Sequence, residues 1–454
     1  MKFSKKFTFG AAISTIQTEG LGITNRGLTT FDKYYSEHPE KFFNNDGPDI
    51  TVDITRHYEE DIKKWAELKL ESIRFGFSWS RLFPDGDNLD YDAVAYYKDF
   101  LVKLKQNNIE AFMTLFHFDM PLWAHELGGW SSRIVIDKFV KFAKFVFEEY
   151  HTLVAKFVTF NEPLVPIMGG YLYDGHYPGI VDFKEAISQF YGLTLAHAKT
   201  TELFYSLNIK DSEIGIVFDW NITIPKNEDE NNLYAAKVHD AFTNRGPLNI
   251  LVKGKIDDFL IKILKDEKVL PDVQEGDLKI IEETKIDFLG INYYFPKRVE
   301  FDHTSNSKYT LFKIKPYLPS DARMNVHRGW EIYPESLYLI GQYIKEEFNN
   351  IPWYIAENGM GVENETRFKD KNGLIEDDYR IEFYTEHLES LSKTIQEGSN
   401  CFGYHVWSAI DCWSFRNGFK NRYGLIGVDI ETQERYFKKS SWWFRDLILE
   451  KNGK

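Results

Sequence analysis

Short apolar runs recur along the chain, and each is followed by polar or aromatic residues and then by a helix-like stretch. Within a run, apolar positions are continuous rather than alternating with polar ones, which is typical of parallel strands covered on both faces. The sequence contains eight such runs, at 7–14, 71–79, 110–118, 156–163, 213–220, 287–294, 352–359 and 401–409.

Amphipathic stretches separate the runs. In 135–150, apolar residues such as Ile136 and Phe139 recur at helical spacing with Lys and Glu between them, and 57–69 has a similar pattern. Eight alternations of strand and helix predict an α/β protein built as one (β/α)₈ TIM barrel.

The chain is longer than a plain barrel needs. Its 454 residues exceed the ~250 of a typical barrel, so we expect long βα loops. We place the extra length in 164–190, 221–245 and 296–330. Because no linker rich in Pro, Gly or Ser divides the sequence, we expect residues 1–454 to form a single catalytic domain.

Composition narrows the possible partners and location. The formal net charge of -14 argues against nucleic acid and against an anionic membrane surface. Cys401 and Cys412 fit a reducing compartment better than a disulfide framework. The basic N-terminus is not followed by an apolar signal segment, and no run reaches the ~18 apolar residues of a membrane span, so we expect a cytoplasmic protein.

Neither a metal nor a cofactor is expected. His117, Asp119 and His125 lie close in sequence, but they do not have the helical spacing of a zinc-binding HExxH motif. No Gly-rich phosphate loop precedes a helix.

Two carboxylates end runs that should face each other. Glu162 ends the fourth run and Glu357 the seventh, and in a closed barrel these strands are three neighbours apart, at the end where barrels carry their chemistry. Two carboxyls across a pocket suit cleavage of a glycosidic bond, with one protonated and the other ionised. Arg74, which lies in the second run, would keep Glu357 charged. We therefore assign Glu162 as acid/base and Glu357 as nucleophile; the alternative is two unrelated loop glutamates.

Several motifs resemble those of one enzyme family. "TFNEP" (159–163) and "IAENG" (355–359) resemble signatures of glycoside hydrolase family 1, the retaining (β/α)₈ enzymes that include β-glucosidases and β-galactosidases. "FTFGAAISTIQTEG", "IRFGFSWSRLFPDG", "DFLGINYY" and "VWSAID" extend the resemblance over nearly the whole chain in the expected order.

This resemblance implies roles for the matching positions. Glu162 corresponds to the general acid/base and Glu357 to the nucleophile, whose carboxyl would lie ~5–5.5 Å from the first in a retaining enzyme. Arg74 and Tyr294 match the pair that holds the nucleophile. The sugar-binding positions are matched by Gln17, His117 and Asn161, the aromatic floor by Trp407, and the leaving-group platform by Trp330. For each aromatic residue, ordinary core packing is the alternative.

The chain departs from the family pattern in "DCWSFRNGFKNRYG" (411–424). Simple β-glucosidases of the family carry Glu and Trp where this chain has Ser414 and Phe415, and that Glu grips the 4- and 6-hydroxyls of the sugar. A serine there resembles the 6-phospho-β-glycosidases, which bind phosphate with a downstream Lys and Tyr. Tyr423 matches the Tyr, but Asn421 stands at the Lys position. Other cations of this segment are Arg416, Lys420 and Arg422.

Three functions are therefore compatible with the sequence. Loss of the Lys, the strongest phosphate donor, favours a β-glycosidase acting on an unphosphorylated β-glucoside or β-galactoside. The alternative is a 6-phospho-β-glucosidase or 6-phospho-β-galactosidase. A non-catalytic sugar-binding barrel is the third, and the presence of both glutamates disfavours it. The expected partner is a small carbohydrate substrate, either a β-glycoside or its 6-phosphate, and assembly into a homo-oligomer is compatible with each function.

Overall fold

Eight parallel strands close into a barrel in the computed structural model, which describes residues 2–453. Each strand pairs with its sequence neighbours, and the first also pairs with the last. We number the barrel strands β1 to β8: Thr8–Ala12, Ser72–Gly76, Glu110–Phe116, Lys156–Asn161, Glu213–Asp219, Phe288–Asn292, Trp353–Asn358 and Cys401–Trp407. Every strand lies within one of the predicted runs, so the predicted barrel is confirmed.

Helices cover the outside of the barrel between successive strands. The two helices expected from amphipathic periodicity are present as Ile54–Glu67 and Arg133–Tyr150. In the second, Ile136 and Phe139 are buried, as a helix that packs its apolar face on a sheet requires. The other long helices are Tyr91–Gln106, Phe183–Ser206, Glu230–Thr243, Glu335–Glu347, Asp378–Gln396 and Lys439–Lys451.

Long loops follow several strands at their carboxyl ends. The three expected segments do carry additional elements, including helix Leu164–Tyr171 and strands Thr223–Pro225 and Lys297–Phe301. However, much of the extra length lies after β1, β7 and β8, where the prediction did not place it. These segments consist of short helices, turns and two- or three-residue strands, and such pieces are too short to leave a periodic pattern in the sequence.

Apolar side chains fill the barrel interior below its carboxyl end. Phe112, Val158, Val217, Phe288 and Tyr354 form a buried cluster inside the barrel. Polar side chains lie at the carboxyl ends of the strands, so the barrel is a packed support for a site at its mouth rather than a channel. None of the helices within 2–453 has the length and apolar character needed to cross a membrane.

Candidate active site

A cavity with about 800 Å³ of empty space opens at the carboxyl ends of the strands. We call it the inner cavity; a second, outer cavity adjoins it and shares Glu162, Asp219 and Lys297 with it. Of the twelve predicted site residues, ten line the inner cavity: Gln17, His117, Glu162, Tyr294, Trp330, Glu357, Trp407, Ser414, Phe415 and Tyr423. The other two, Arg74 and Asn161, are buried and hydrogen-bond to residues that line it.

Glu357, near the end of β7, is held at both carboxyl oxygens. The guanidinium of Arg74 donates to Oε1, and the hydroxyl of Tyr294 donates to Oε2. Burial raises the pKa of Glu357 above its ordinary value, and the charge of Arg74 and the hydrogen bonds from Tyr294 and Arg74 oppose this rise. These donors stabilise the ionised carboxylate and fix its orientation.

Glu162 directly follows β4 and has a different environment. Its backbone is left-handed, with φ of 47°, and its amide donates to the carbonyl of Val217 at 2.9 Å. Burial raises the pKa of Glu162 well above its ordinary value, and the nearby carboxylates of Asp219 and Glu357 raise it further. The protonated form of this carboxyl is therefore favoured.

Asn292, at the end of β6, lies between the two carboxyls. Its amide nitrogen donates to Glu162 Oε1 at 2.6 Å and to Asn161 Oδ1 at 3.1 Å. Asn292 also lies close enough to Glu357 to lower the pKa of that carboxyl against the effect of burial. The sequence prediction gave Asn292 no role in the site; its only signal was its place at the end of the sixth run.

His117 and Asn161 extend this network. Asn161 Oδ1 accepts a hydrogen bond from Arg74 at 2.5 Å, so its amide nitrogen is the atom that donates to His117 Nε2 at 3.0 Å. Burial and the charge of Arg74 lower the pKa of His117 well below its ordinary value. A neutral ring that accepts at Nε2 carries its proton on Nδ1, which is buried and has no hydrogen-bond partner within 2–453.

The aromatic walls of the inner cavity are packed against their own neighbours. Trp407 is buried, and its carbonyl oxygen would lie 1.9 Å from a Cβ at position 359, which explains the glycine of "IAENG". Trp330 stacks on Phe295, with ring centroids 4.8 Å apart. Phe415 stacks on Phe31 at 4.6 Å, so its ring is fixed by the loop that follows β1.

Ser414 and Tyr423 form the wall that departs from the family pattern. The backbone amide of Ser414 donates to the carbonyl of Gly418 at 2.8 Å, within a tight turn. Tyr423 is buried, and its ring passes so close to Gly361 that a Cβ there would lie 2.3 Å from a ring carbon. Burial raises the pKa of Tyr423 to about 12, so its hydroxyl stays protonated.

The three cations noted near this wall have other partners. Lys420 pairs with Glu363 at 3.1 Å, and Arg422 lies 3.7 Å from a carboxylate oxygen of Asp411. Arg416 donates to backbone carbonyl oxygens of the neighbouring loops. The basic side chains that line the inner cavity besides His117 and His176 are Lys297 and Arg328, which the sequence prediction did not identify.

Two acidic residues that follow strand ends form structural ion pairs and do not line the inner cavity. Glu19 forms a buried ion pair with Arg81 at 2.8 Å, and Asp411 accepts from Lys438 at 2.9 Å. Over residues 2–453, no group of three or more His, Cys, Asp or Glu side chains has an arrangement that could hold a metal ion.

A closed (β/α)₈ barrel with two glutamates in contrasting environments at the carboxyl ends of its strands defines a glycoside hydrolase. A family model described as glycosyl hydrolase family 1 matches residues 1–453, and the chain belongs to that family. The resemblance found in the sequence is therefore confirmed.

Similar proteins include enzymes named for phosphorylated sugars and enzymes named for unphosphorylated sugars. The chain is 41% identical to 6-phospho-beta-glucosidase GmuD of Bacillus subtilis, covering 100% of this chain and 98% of the relative. It is 34% identical to a 6-phospho-beta-galactosidase of Clostridium acetobutylicum, covering 99% and 97%. A solved family 1 β-glucosidase from Thermotoga maritima superposes with a TM-score of 0.91 at 30% identity, covering 99% of this chain and 98% of that one.

Proposed function

We propose that this protein hydrolyses the terminal β-linked sugar of a small carbohydrate with retention of configuration, and that residues 1–454 act as one catalytic unit. The observation that carries the proposal is the contrast between Glu357, held by Arg74 and Tyr294, and Glu162, beside the carboxylate of Asp219. One carboxyl is prepared to be ionised and the other to be protonated, as glycosidic cleavage requires.

In the first step, a Glu357 oxygen attacks the anomeric carbon while Glu162 donates its proton to the glycosidic oxygen. The bond to the leaving group breaks, and a covalent glycosyl-enzyme forms. In the second step, Glu162 takes a proton from water, the water oxygen attacks the anomeric carbon, and Glu357 leaves as a carboxylate. Two displacements at one carbon return the original configuration.

The same two groups explain how Glu162 changes role. While Glu357 is ionised, its charge is among the causes that raise the pKa of Glu162. Esterification of Glu357 removes that charge, so the pKa of Glu162 falls in the intermediate and the residue becomes able to accept a proton. In this scheme His117, Gln17 and Asn161 hydrogen-bond to sugar hydroxyls, and Trp407 and Trp330 serve as sugar floor and leaving-group platform.

The proposed sugar is of the β-glucoside or β-galactoside type, either unphosphorylated or as its 6-phosphate. The names of the similar proteins, which include β-glucosidases and 6-phospho-β-glycosidases, support both classes. A cytoplasmic location is part of the proposal, and the free state of Cys401 and Cys412 supports it.

Replacing Glu357 by Gln tests the mechanism. The substrates are p-nitrophenyl β-glucoside, β-galactoside and their 6-phosphates, and we expect E357Q to lose turnover by several orders of magnitude while its circular dichroism spectrum stays that of the folded protein. E162Q should still release one equivalent of p-nitrophenol rapidly, because this leaving group needs no acid, and then turn over slowly. E363Q is the matched control, since Glu363 pairs with Lys420 away from the cavity. Retained activity in E357Q, or an inverted product by NMR, would refute the proposal.

A further inference from the structure

We propose that Arg328 binds a phosphate group on C6 of the sugar and makes 6-phosphoglycosides the preferred substrates. This inference rests on the proposed function and deepens it, because it selects one of the two substrate classes. It assigns a specificity-determining role to a residue outside the 411–424 segment, and it reverses the preference drawn from Asn421 in the sequence.

Arg328 lines the inner cavity together with Ser414 and Tyr423. Its Nη1 lies 3.5 Å from Oδ1 of Asn421, the residue at the position where a phosphate-binding lysine was expected. Arg328 is also close enough to Tyr423 for its charge to lower the pKa of that hydroxyl against the effect of burial. The guanidinium therefore lies beside the wall that borders the 6-position of the sugar.

The hydrogen-bonding capacity of Arg328 is largely unused. Its Nε is buried and has no partner within the described chain, and none of the ion pairs among residues 2–453 includes it. The guanidinium carbon lies 4.2 Å from the ring centroid of Trp330, within the range of a cation–π contact. A planar guanidinium with unused N–H groups suits bidentate binding of phosphate oxygens.

The turn that carries Arg328 is tied to the loops around it. The amide of Arg328 donates to the carbonyl of Asn325 at 3.1 Å, and the side chain of Asn325 donates to the carbonyl of Gly361 at 3.0 Å. Asn421 donates to the carbonyl of His327 at 3.3 Å while it accepts from Arg328. Asn421 thus positions an arginine from a neighbouring loop instead of supplying the cation itself.

The charge of the surrounding wall agrees with an anionic substituent. Ser414 stands where the family resemblance places a glutamate that grips the hydroxyls of an unphosphorylated sugar, so this position of the cavity lining carries no carboxylate to repel phosphate. The other lysine or arginine that lines the inner cavity, Lys297, has the carboxylate of Asp219 beside it. Arg328 is therefore the cavity cation with no carboxylate partner in the part of the chain that the structure describes.

The test compares R328M with the wild type on p-nitrophenyl β-glucoside 6-phosphate and p-nitrophenyl β-glucoside, and on the galactoside pair. We expect the wild type to prefer the phosphorylated substrates. In R328M, the ratio of kcat/KM for phosphorylated over unphosphorylated substrate should fall about 10- to 100-fold, mainly through KM, as loss of a charge-assisted hydrogen bond implies. The matched control is K420M, which removes the same charge from a side chain outside the cavity and should leave the ratio unchanged.

Two further variants separate loss of charge from loss of structure. R328K keeps the cation and should lose less of the ratio than R328M. In the R328M background, N421K should restore part of the ratio, because it returns a cation to the same wall. Equal loss on both substrate classes, or no rescue by either lysine, would show that Arg328 serves the leaving group or the fold instead.

Binding of glucose 6-phosphate and galactose 6-phosphate, measured by calorimetry, needs no turnover. The wild type should bind at least one of them at least tenfold more tightly than the corresponding free sugar, and R328M should lose this difference. Cleavage of unphosphorylated glycosides alone would overturn this inference and leave the proposed function intact. Tight binding without cleavage of any glycoside would instead support the phosphate site and refute the proposed function.

Discussion

Asp219 offers a direct test of how the cavity keeps Glu162 protonated. It lies at the end of β5 and lines both cavities. After burial, the charge of Asp219 is the largest cause that raises the pKa of Glu162. Burial raises the pKa of Asp219 itself to about 6, with Lys297 acting in the opposite direction, so Asp219 is ionised at neutral pH and above.

The expected magnitude follows from the loss of one neighbouring charge. D219N keeps the size of the side chain, and its carboxamide oxygen can still accept from Asn221, which now donates at 2.7 Å. A like charge beside a buried carboxyl, partly offset by Lys297, is worth roughly one pKa unit, or about 1.4 kcal/mol. The basic limb of kcat/KM should therefore move down by about one pH unit. Well above that limb the rate should fall about tenfold relative to the wild type, because the protonated fraction of Glu162 falls tenfold.

The assay is the pH profile of kcat/KM for an aryl glycoside with a poor leaving group, whose departure needs the acid. The comparison uses the pH positions of the two limbs and not the absolute rates, because Asp219 lines the cavity and its replacement also changes contacts with the substrate. The acidic limb, which reflects ionisation of Glu357 beside Arg74, should stay in place. D240N is the matched control, since Asp240 pairs with Arg245 outside the cavity. An unmoved basic limb, or an equal shift of both limbs, would refute the role of Asp219.

Two substitutions probe the frame around the site. Lys438 is one of the buried cations that, against the effect of burial, lower the pKa of Glu365 to about 2. For K438M we expect the free energy of unfolding, measured in urea at pH 7, to fall by about 3–5 kcal/mol. The control is K439M at the exposed Lys439, for which we expect a fall of less than about 1 kcal/mol. Because the folded pKa of Glu365 is lowered, the contribution of this carboxylate to stability is present above the unfolded pKa of ~4.3 and is lost as the pH falls towards 2. The stability of K438M should therefore depend less on pH in this acidic range than that of the wild type. Equal losses of stability in K438M and K439M would contradict this. G359A places a Cβ 1.9 Å from the carbonyl oxygen of Trp407, so we expect a loss of about 1–3 kcal/mol and a lower kcat; an unchanged melting temperature would show that the loop yields freely.

Local patterns in the sequence were enough to predict the barrel. In the run 156–163, Phe157, Val158 and Phe160 precede the polar residues Asn161 and Glu162, so both the strand and its polar end could be recognised without knowing what packs around them. The closed order of the strands then places the ends of β4 and β7 across the mouth. The loop after β1 escaped prediction because its short helices and turns leave no period in the sequence.

The partners of charged side chains were decided only by the tertiary structure. Lys420 and Asn421 are adjacent in sequence, yet Lys420 points to Glu363 while Asn421 meets Arg328 from another loop. Likewise, Asp219 acts on Glu162 only because neighbouring strands bring them together. Hydrophobic periodicity reports how each segment is buried, whereas a pKa or an unpaired cation depends on side chains far apart in the chain. The sequence alone therefore determined the barrel and its two glutamates, and the folded chain decided which charges surround them.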